Sequence, residues 1–405
     1  GVNTFTVFGN NAYTTLNVDG GGNGDTLTAL TPLNPASIDL GASTVAGYVG
    51  MINYAGLATI NADAANNPFG VVTTIVDDTL VVTPYGNGAG TLQNNGADPV
   101  VNYSNVLGNA INASLSAGDD RLIVNATALG DAILIDATAS TVSTGVNGGG
   151  VAYNGAEALE VRGLEGNDAF TVTAGPIPVF INGGSPIGSA PGDSLAIFLA
   201  APVAVTQNAG PQTDEGSFVV GGNAPVSFDQ IESATINGVS PGSSLIVNGT
   251  NADDVITLIG TGSDDFTLSV NAGPAVQYNN VSAVTLNGAS GSDRFDIDVN
   301  TLNATLITIN GDSPATDGDS VTVTGVVGGA DNATFSPTSA SGGVLTIAGL
   351  TGLNAIQLNT VEALAYGGES DNENLTVNGT SSADTIVHTP GSTAGRPLSL
   401  LRAFV

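Results

Sequence analysis

Among its 405 residues the sequence has no cysteine, no tryptophan and no lysine, and only one histidine and one methionine. Without cysteine, neither disulfides nor thiolate chemistry can operate, so stability must come from backbone ladders and packing. Without lysine there is no ammonium base of the kind a polysaccharide lyase uses, and without tryptophan there is no indole to stack on a sugar. Five arginines stand against 36 acidic residues, giving a net charge of −31. Nucleic acid and anionic membrane surfaces are poor partners for such a chain, whereas cations are natural ones. No stretch approaches the roughly 20 consecutive apolar residues of a membrane-spanning helix, so no membrane insertion is expected.

What the chain does have is rhythm. Glycine supplies 56 residues and the apolar fraction is 41%. A short unit returns throughout: a small residue, then x-Asp-x, then a large apolar residue, x, and another apolar residue. It reads Gly118-Asp-Asp-Arg-Leu-Ile-Val124, Gly166-Asn-Asp-Ala-Phe-Thr-Val172, Ala252-Asp-Asp-Val-Ile-Thr-Leu258, Gly262-Ser-Asp-Asp-Phe-Thr-Leu268 and Gly291-Ser-Asp-Arg-Phe-Asp-Ile297. A weaker copy is Ser382-Ala-Asp-Thr-Ile-Val-His388. The small residue permits a tight turn with positive φ. The Asp or Asn bonds to loop N–H groups. The apolar-x-apolar tail reads as a short strand with one buried face.

The units sit inside a longer period. Ile123-Val-Asn matches Ile246-Val-Asn, Gly163 to Phe170 matches Gly288 to Phe295, Gly192-Asp-Ser matches Gly318-Asp-Ser, and Val247-Asn-Gly-Thr matches Val377-Asn-Gly-Thr, with offsets of 123 to 130 residues. Such a super-repeat implies a repeat architecture. The organisation expected is an irregular or partial repeat over 1–117, full repeats over 118–245 and 246–375, and a partial repeat with a tail over 376–405. Ala58-Thr-Ile-Asn-Ala-Asp-Ala-Ala65 is the one stretch that reads as the start of a short helix. The tail from Gly391 to Val405 lacks the Asp and Asn punctuation and carries Arg396 and Arg402. It reads either as a frayed terminus or as a segment that docks on an acidic surface.

Strand signals every ten residues or so, separated by Asn-Gly, Gly-Asp and Gly-Ser turns, make this an all-β protein. A repetitive β-solenoid, parallel β-helix-like, is the preferred architecture because the strands are short and the unit recurs within each period. Tandem β-sandwich domains are the alternative.

The segments Gly163-Leu-Glu-Gly-Asn-Asp-Ala-Phe170, Gly249-Thr-Asn-Ala-Asp-Asp-Val-Ile256 and Gly288-Ala-Ser-Gly-Ser-Asp-Arg-Phe295 resemble the haemolysin-type, or RTX, nonapeptide repeats of large secreted bacterial surface proteins. That family builds a parallel β-roll with calcium in its turns. The resemblance implies carbonyl and carboxylate oxygens facing a Ca2+ ion, with Asp168, Asp253, Asp254, Asp264, Asp265 and Asp293 as ligands. Asp312, Asp317 and Asp319 form a separate candidate cluster. Here Leu164, Ala289 and Thr250 replace the family's second glycine, and the units are isolated rather than tandem. The competing reading of the same residues is that Asp only caps the turn. Asn-x-Ser/Thr sequons are frequent, and Asn125, Asn248 and Asn378 are the glycosylation candidates, the last two being equivalent within the repeat.

The functional expectation is an extracellular or cell-surface structural repeat protein. It would be a subunit of a filament, surface layer or adhesive stalk, partnering with itself head to tail through uncapped β edges. The chain opens and stops inside a repeat unit, and Leu398 to Val405 could add a strand to the next subunit. A calcium-dependent adhesin that binds surface glycans is the alternative. A polysaccharide-acting β-helix enzyme is a distant one, since scattered acids without tryptophan, lysine or a histidine other than His388 carry no catalytic signature.

Overall fold

The computed structural model describes all residues except 10–12, 23, 49, 98, 146–148, 189–190, 240, 303–304, 315–317, 327–331, 349–354, 368–373, 382–384, 390–397 and 405. Among them are one 3-10 turn, Leu107–Asn109, and otherwise strands and turns, in two units. Residues 1–195 with 223–232 form one unit, and 196–222 with 233–405 form the other. In both, the fold is a β-solenoid: each coil of chain adds one strand to each of two sheets.

In the first unit, one sheet stacks Thr4–Phe8, Asp25–Leu30, Leu57–Asn67 and Val100–Val106 in parallel. It then passes through an antiparallel meander, Val100–Val106 with Ala89–Asn94 with Thr79–Gly86. Parallel stacking resumes with Arg121–Asn125, Ala158–Arg162, Val179–Asn182 and Val226–Asp229. The other sheet places Met51–Ala55 on Thr15–Asp19, then runs back through Thr44–Ala46 to Ala36–Asp39. Phe69–Val72, Ala110–Ser114 and Gly150–Asn154 follow in parallel, and a second meander runs through Thr141–Ser143 to Ala132–Asp136, which pairs with Ala169–Thr173.

The second unit repeats the scheme. One of its sheets stacks Ala204–Ala209, Ser243–Asn248, Val281–Asn287, Leu306–Asn310 and Ile356–Asn359 in parallel. A meander through Gly342–Ala348 and Asn332–Ser339 leads on to Asn374–Val377. Its other sheet sets Ser233–Asn237 on Ala275–Asn279, returns through Phe266–Val270 to Val255–Gly260, and continues with Arg294–Asp298, Ser320–Thr324 and Ala363–Gly367. The antiparallel segments explain why a sandwich also fits the sequence spacing. They are meanders set into otherwise parallel stacks.

The strands form because their side chains alternate. Arg294–Asp298 buries Phe295 and Ile297 and turns Arg294, Asp296 and Asp298 outward, and Ser320–Thr324 does the same with Val321 and Val323. The two faces of each solenoid meet across this core. Phe69 of one sheet stacks on Tyr103 of the other in the first unit, with ring centroids 5.9 Å apart. In the second unit the Tyr278 hydroxyl donates to Gln207 Oε1 at 2.6 Å across the sheets.

Two local expectations are corrected. Residues 58–65 are not helical but belong to strand Leu57–Asn67, where Ile60, Ala62 and Ala64 alternate inward. Alanine's helix preference yields there to two parallel neighbours, Asp25–Leu30 and Val100–Val106. The tail is neither frayed nor free over Leu398–Phe404. That strand lies antiparallel between Ala363–Gly367 and Thr385–Thr389 of its own chain, because Leu-Ser-Leu-Leu-Arg-Ala-Phe satisfies ladder bonds on both edges.

Candidate functional site: the corner carboxylate ladders

Each coil turns a corner between its two strands, and the repeated Asp sits at that corner. In the first unit the N–H of Asp131 donates to Asp168 Oδ1 at 2.7 Å, that of Asp168 to Asp193 Oδ1 at 2.6 Å, and that of Asp193 to Glu232 Oε2 at 2.6 Å. In the second unit Asp254 N–H donates to Asp293 Oδ1 at 2.8 Å, Asp293 N–H to Asp319 Oδ1 at 2.7 Å, and Asp319 N–H to Glu362 Oε2 at 2.6 Å. These two series match member by member at the super-repeat offsets of 123 to 130. A shorter series on the opposite corner of the first unit runs from Asp78 to Asp120 at 2.8 Å and from Asp120 to Glu157 at 2.7 Å.

These three series start and stop in the same way. The first Asp is four residues after a Thr whose N–H and hydroxyl both bond to its carboxylate: Thr74 with Asp78, Thr127 with Asp131, and Thr250 with Asp254. Meander amides add to this clamp, Asn94 and Asn95 on Asp78 and Asn271 on Asp254. The last member is a Glu, and its own N–H returns to the carbonyl of the preceding Asp, as Glu232 does to Asp193 and Glu362 to Asp319, both at 3.0 Å. The corners ending at Glu157, Glu232 and Glu362 hold only three residues between strands, so a longer side chain is needed to reach the next coil.

Glycine makes room for the carboxyls. A Cβ built on Gly183 would lie 2.6 Å from Asp193 Oδ2, one on Gly249 2.6 Å from Asp254 Oδ2, and ones on Gly163, Gly288 and Gly311 would fall on Asp168, Asp293 and Asp319. A second glycine, Gly118, Gly166 or Gly291, has φ between 131° and 143°, and a Cβ there would run into the backbone of the preceding coil. The expectation of a small residue at positive φ before x-Asp holds at these three positions.

The electrostatics differ along each series. At Asp78, burial works toward a higher pKa, but bonds from Asn94, Thr74 and Thr73 outweigh it and hold the carboxyl below its ordinary value. Within the series, burial dominates. It pushes Asp168 up to about 7 and Asp293 up to about 6 against the lowering effect of the amide bond each receives, with the neighbouring carboxylates adding to the rise. Asp120, Asp193 and Asp319 are raised for the same first reason. The Oδ2 atoms of Asp120, Asp168, Asp193, Asp293 and Asp319 are shut from solvent and accept no hydrogen bond.

A second ladder lies beside the first. In the second unit the amides of Asn248, Asn287, Asn310 and Asn359 each donate to the Asn one coil earlier, at 2.8 to 2.9 Å, beginning at Asn208. The equivalent row of the first unit is broken by Arg162, which bonds with Arg121 to the buried Glu160. Arg294 pairs within its own strand, with Asp296 at 2.8 Å.

The sequence candidates therefore divide. Asp168, Asp254, Asp293 and Asp319 are ladder members. Asp253 caps the next coil through Ser292 N–H at 2.8 Å, and Asp265 accepts Asn280 N–H at 2.9 Å. Asp264 lies next to it in the hairpin turn, and its carbonyl accepts Val281 N–H. Asp312 sits in the left-handed region with φ of 68°, while Asp317 is outside the described residues. Among the described residues no three acidic or histidine side chains converge on one point that would hold a metal ion. Of the sequons, Asn248 has its amide in the Asn ladder, Asn125 donates to Thr83 Oγ1, and Asn378 donates to Ser336 Oγ on an exposed face. Sequence reasoning missed Asp78, Asp120, Asp131 and Asp193 and the terminal Glu residues. The signal was present in the matched Gly192-Asp-Ser and Gly318-Asp-Ser segments and in Glu232 and Glu362, 130 residues apart. The first unit also has a surface groove of about 440 Å³ lined in part by Ser43, Tyr54, Thr74, Asn94 and Asn95, and among the described residues its polar lining is of hydroxyl and amide side chains.

No family model matches this sequence, and no curated protein matches it.

Proposed function

We propose that the chain is an extracellular structural repeat protein, a β-solenoid scaffold that serves as a stalk or filament subunit. One observation carries this reading. The most repeated polar residues, the Asn and Asp of the ladders, are engaged with the neighbouring coil of their own chain. Repetition here serves stacking, as expected where each repeat contacts only its neighbours. The cysteine-free, lysine-free, acidic composition agrees with an exposed, soluble surface. Joining of copies through strand edges is the natural route from such a unit to a filament.

Negative-stain electron microscopy of the purified chain, with and without EDTA, tests this. Fibres that persist in both conditions are expected. Fibres that dissolve in EDTA would transfer the joints to calcium and favour an adhesin. Irregular, globular particles would end the scaffold reading.

A further inference from the structure

We infer that the Gly-x-x-Gly-x-Asp corner of this chain is a metal-free stacking device, in which a backbone amide of the adjacent coil takes the position where the calcium-repeat resemblance would put an ion. Each residue of the motif has a role in that device. In Gly288-Ala-Ser-Gly-Ser-Asp293, Gly288 leaves space for the Asp293 carboxyl, and Gly291 at φ of 143° lets the corner press on Ala252 of the preceding coil. Asp293 then receives the N–H of Asp254. Gly163, Gly166 and Asp168 act in the same way, with Gly166 against Leu129 and Gly130 and Asp168 receiving Asp131.

A calcium turn needs six to eight oxygens at about 2.3–2.6 Å from one point. The two kinds of oxygen the resemblance would offer are already occupied here. The carboxylate Oδ1 atoms accept amides, as described above. The backbone carbonyls of the same residues accept the first amides of the next strand: Asp131 from Ala169, Asp168 from Ser194, Asp254 from Arg294, Asp293 from Ser320, and Asp319 from Glu362 and Ala363. The remaining Oδ2 atoms are enclosed beside their own corner glycine rather than facing the next Asp. The three ladders described above are also closed at both ends by ordinary side chains, a Thr at the start and a Glu at the finish.

The experiment is urea unfolding of the full chain in excess calcium chloride, in magnesium chloride at equal ionic strength, and in EDTA. Wild type, Asp293→Asn and Asp293→Ala are compared, with calcium titration calorimetry on wild type. Asparagine keeps the oxygen acceptor without the charge, and alanine removes both. The inference expects the same midpoint in calcium and magnesium, no midpoint loss in EDTA beyond that of ionic strength, a midpoint at or above wild type for Asp293→Asn, and a lower midpoint for Asp293→Ala. It also expects no saturable calcium-specific heat. A calcium-specific rise of the wild-type midpoint that Asp293→Asn abolishes would overturn it. If the variants fail to fold, saturable calcium binding by wild type would overturn it and its absence would sustain it.

Discussion

A carboxyl at a corner and the glycine beside it are one structural unit. Gly311→Ala would drive a methyl onto the Asp319 carboxyl and the Thr360 carbonyl, whereas Gly222 has open space around it. The first substitution is expected to cost about 1–3 kcal/mol and the Gly222→Ala control close to nothing, read from urea midpoints. Protonation gives a second expectation. Asp168 and Asp293 have folded-state pKa values raised by burial to about 7 and about 6. A group raised on folding stabilises fully below its unfolded pKa, and that contribution is lost as pH rises through the folded value. Thermal midpoints are therefore expected to fall between about pH 4 and pH 7. Asp168→Asn should flatten that fall, and an unchanged slope in this variant would remove Asp168 as its source. Asp78 works in the opposite sense, since its pKa is lowered on folding and its contribution disappears only at acid pH.

At the scale of the strand and its ladder, the second unit's row of asparagines sets up a graded test. Asn287 both donates to Asn248 and accepts from Asn310, whereas Asn359 only donates within the row. Asn287→Ala is expected to cost about 1–2 kcal/mol and Asn359→Ala about half of that, measured by chemical denaturation. How much of this was legible follows from periodicity. Alternation exposed the strands directly, because inward residues such as Phe295 and Ile297 repeat every second position. The corner Asp was legible as a motif for the same reason. Its partner was not, since the amide that Asp168 accepts comes from Asp131, 37 residues earlier, and no local rule pairs them. Residues 57–67 misled because alanine and asparagine carry little strand signal of their own, and their conformation is dictated by two neighbouring strands. The meanders were invisible as such, since an antiparallel return and a parallel coil use the same short alternating segments.

For the molecule as a whole, 36 acidic residues with five arginines leave a surface under strong self-repulsion. Raising sodium chloride from low concentration to about 0.5 M is expected to raise the thermal midpoint by screening, as scanning calorimetry would show. The order of strands has a further consequence for a chain made from its amino end. In the first unit Met51–Ala55 rests on Thr15–Asp19, which is made before it, while Ala36–Asp39 rests on Phe69–Val72, which is made after it. Each meander thus grips the finished coils with its last strand and holds its first strand open for the coil still to come. A growing or translocating chain would carry a one-strand template at its leading edge, so that every new coil is received on a prepared surface.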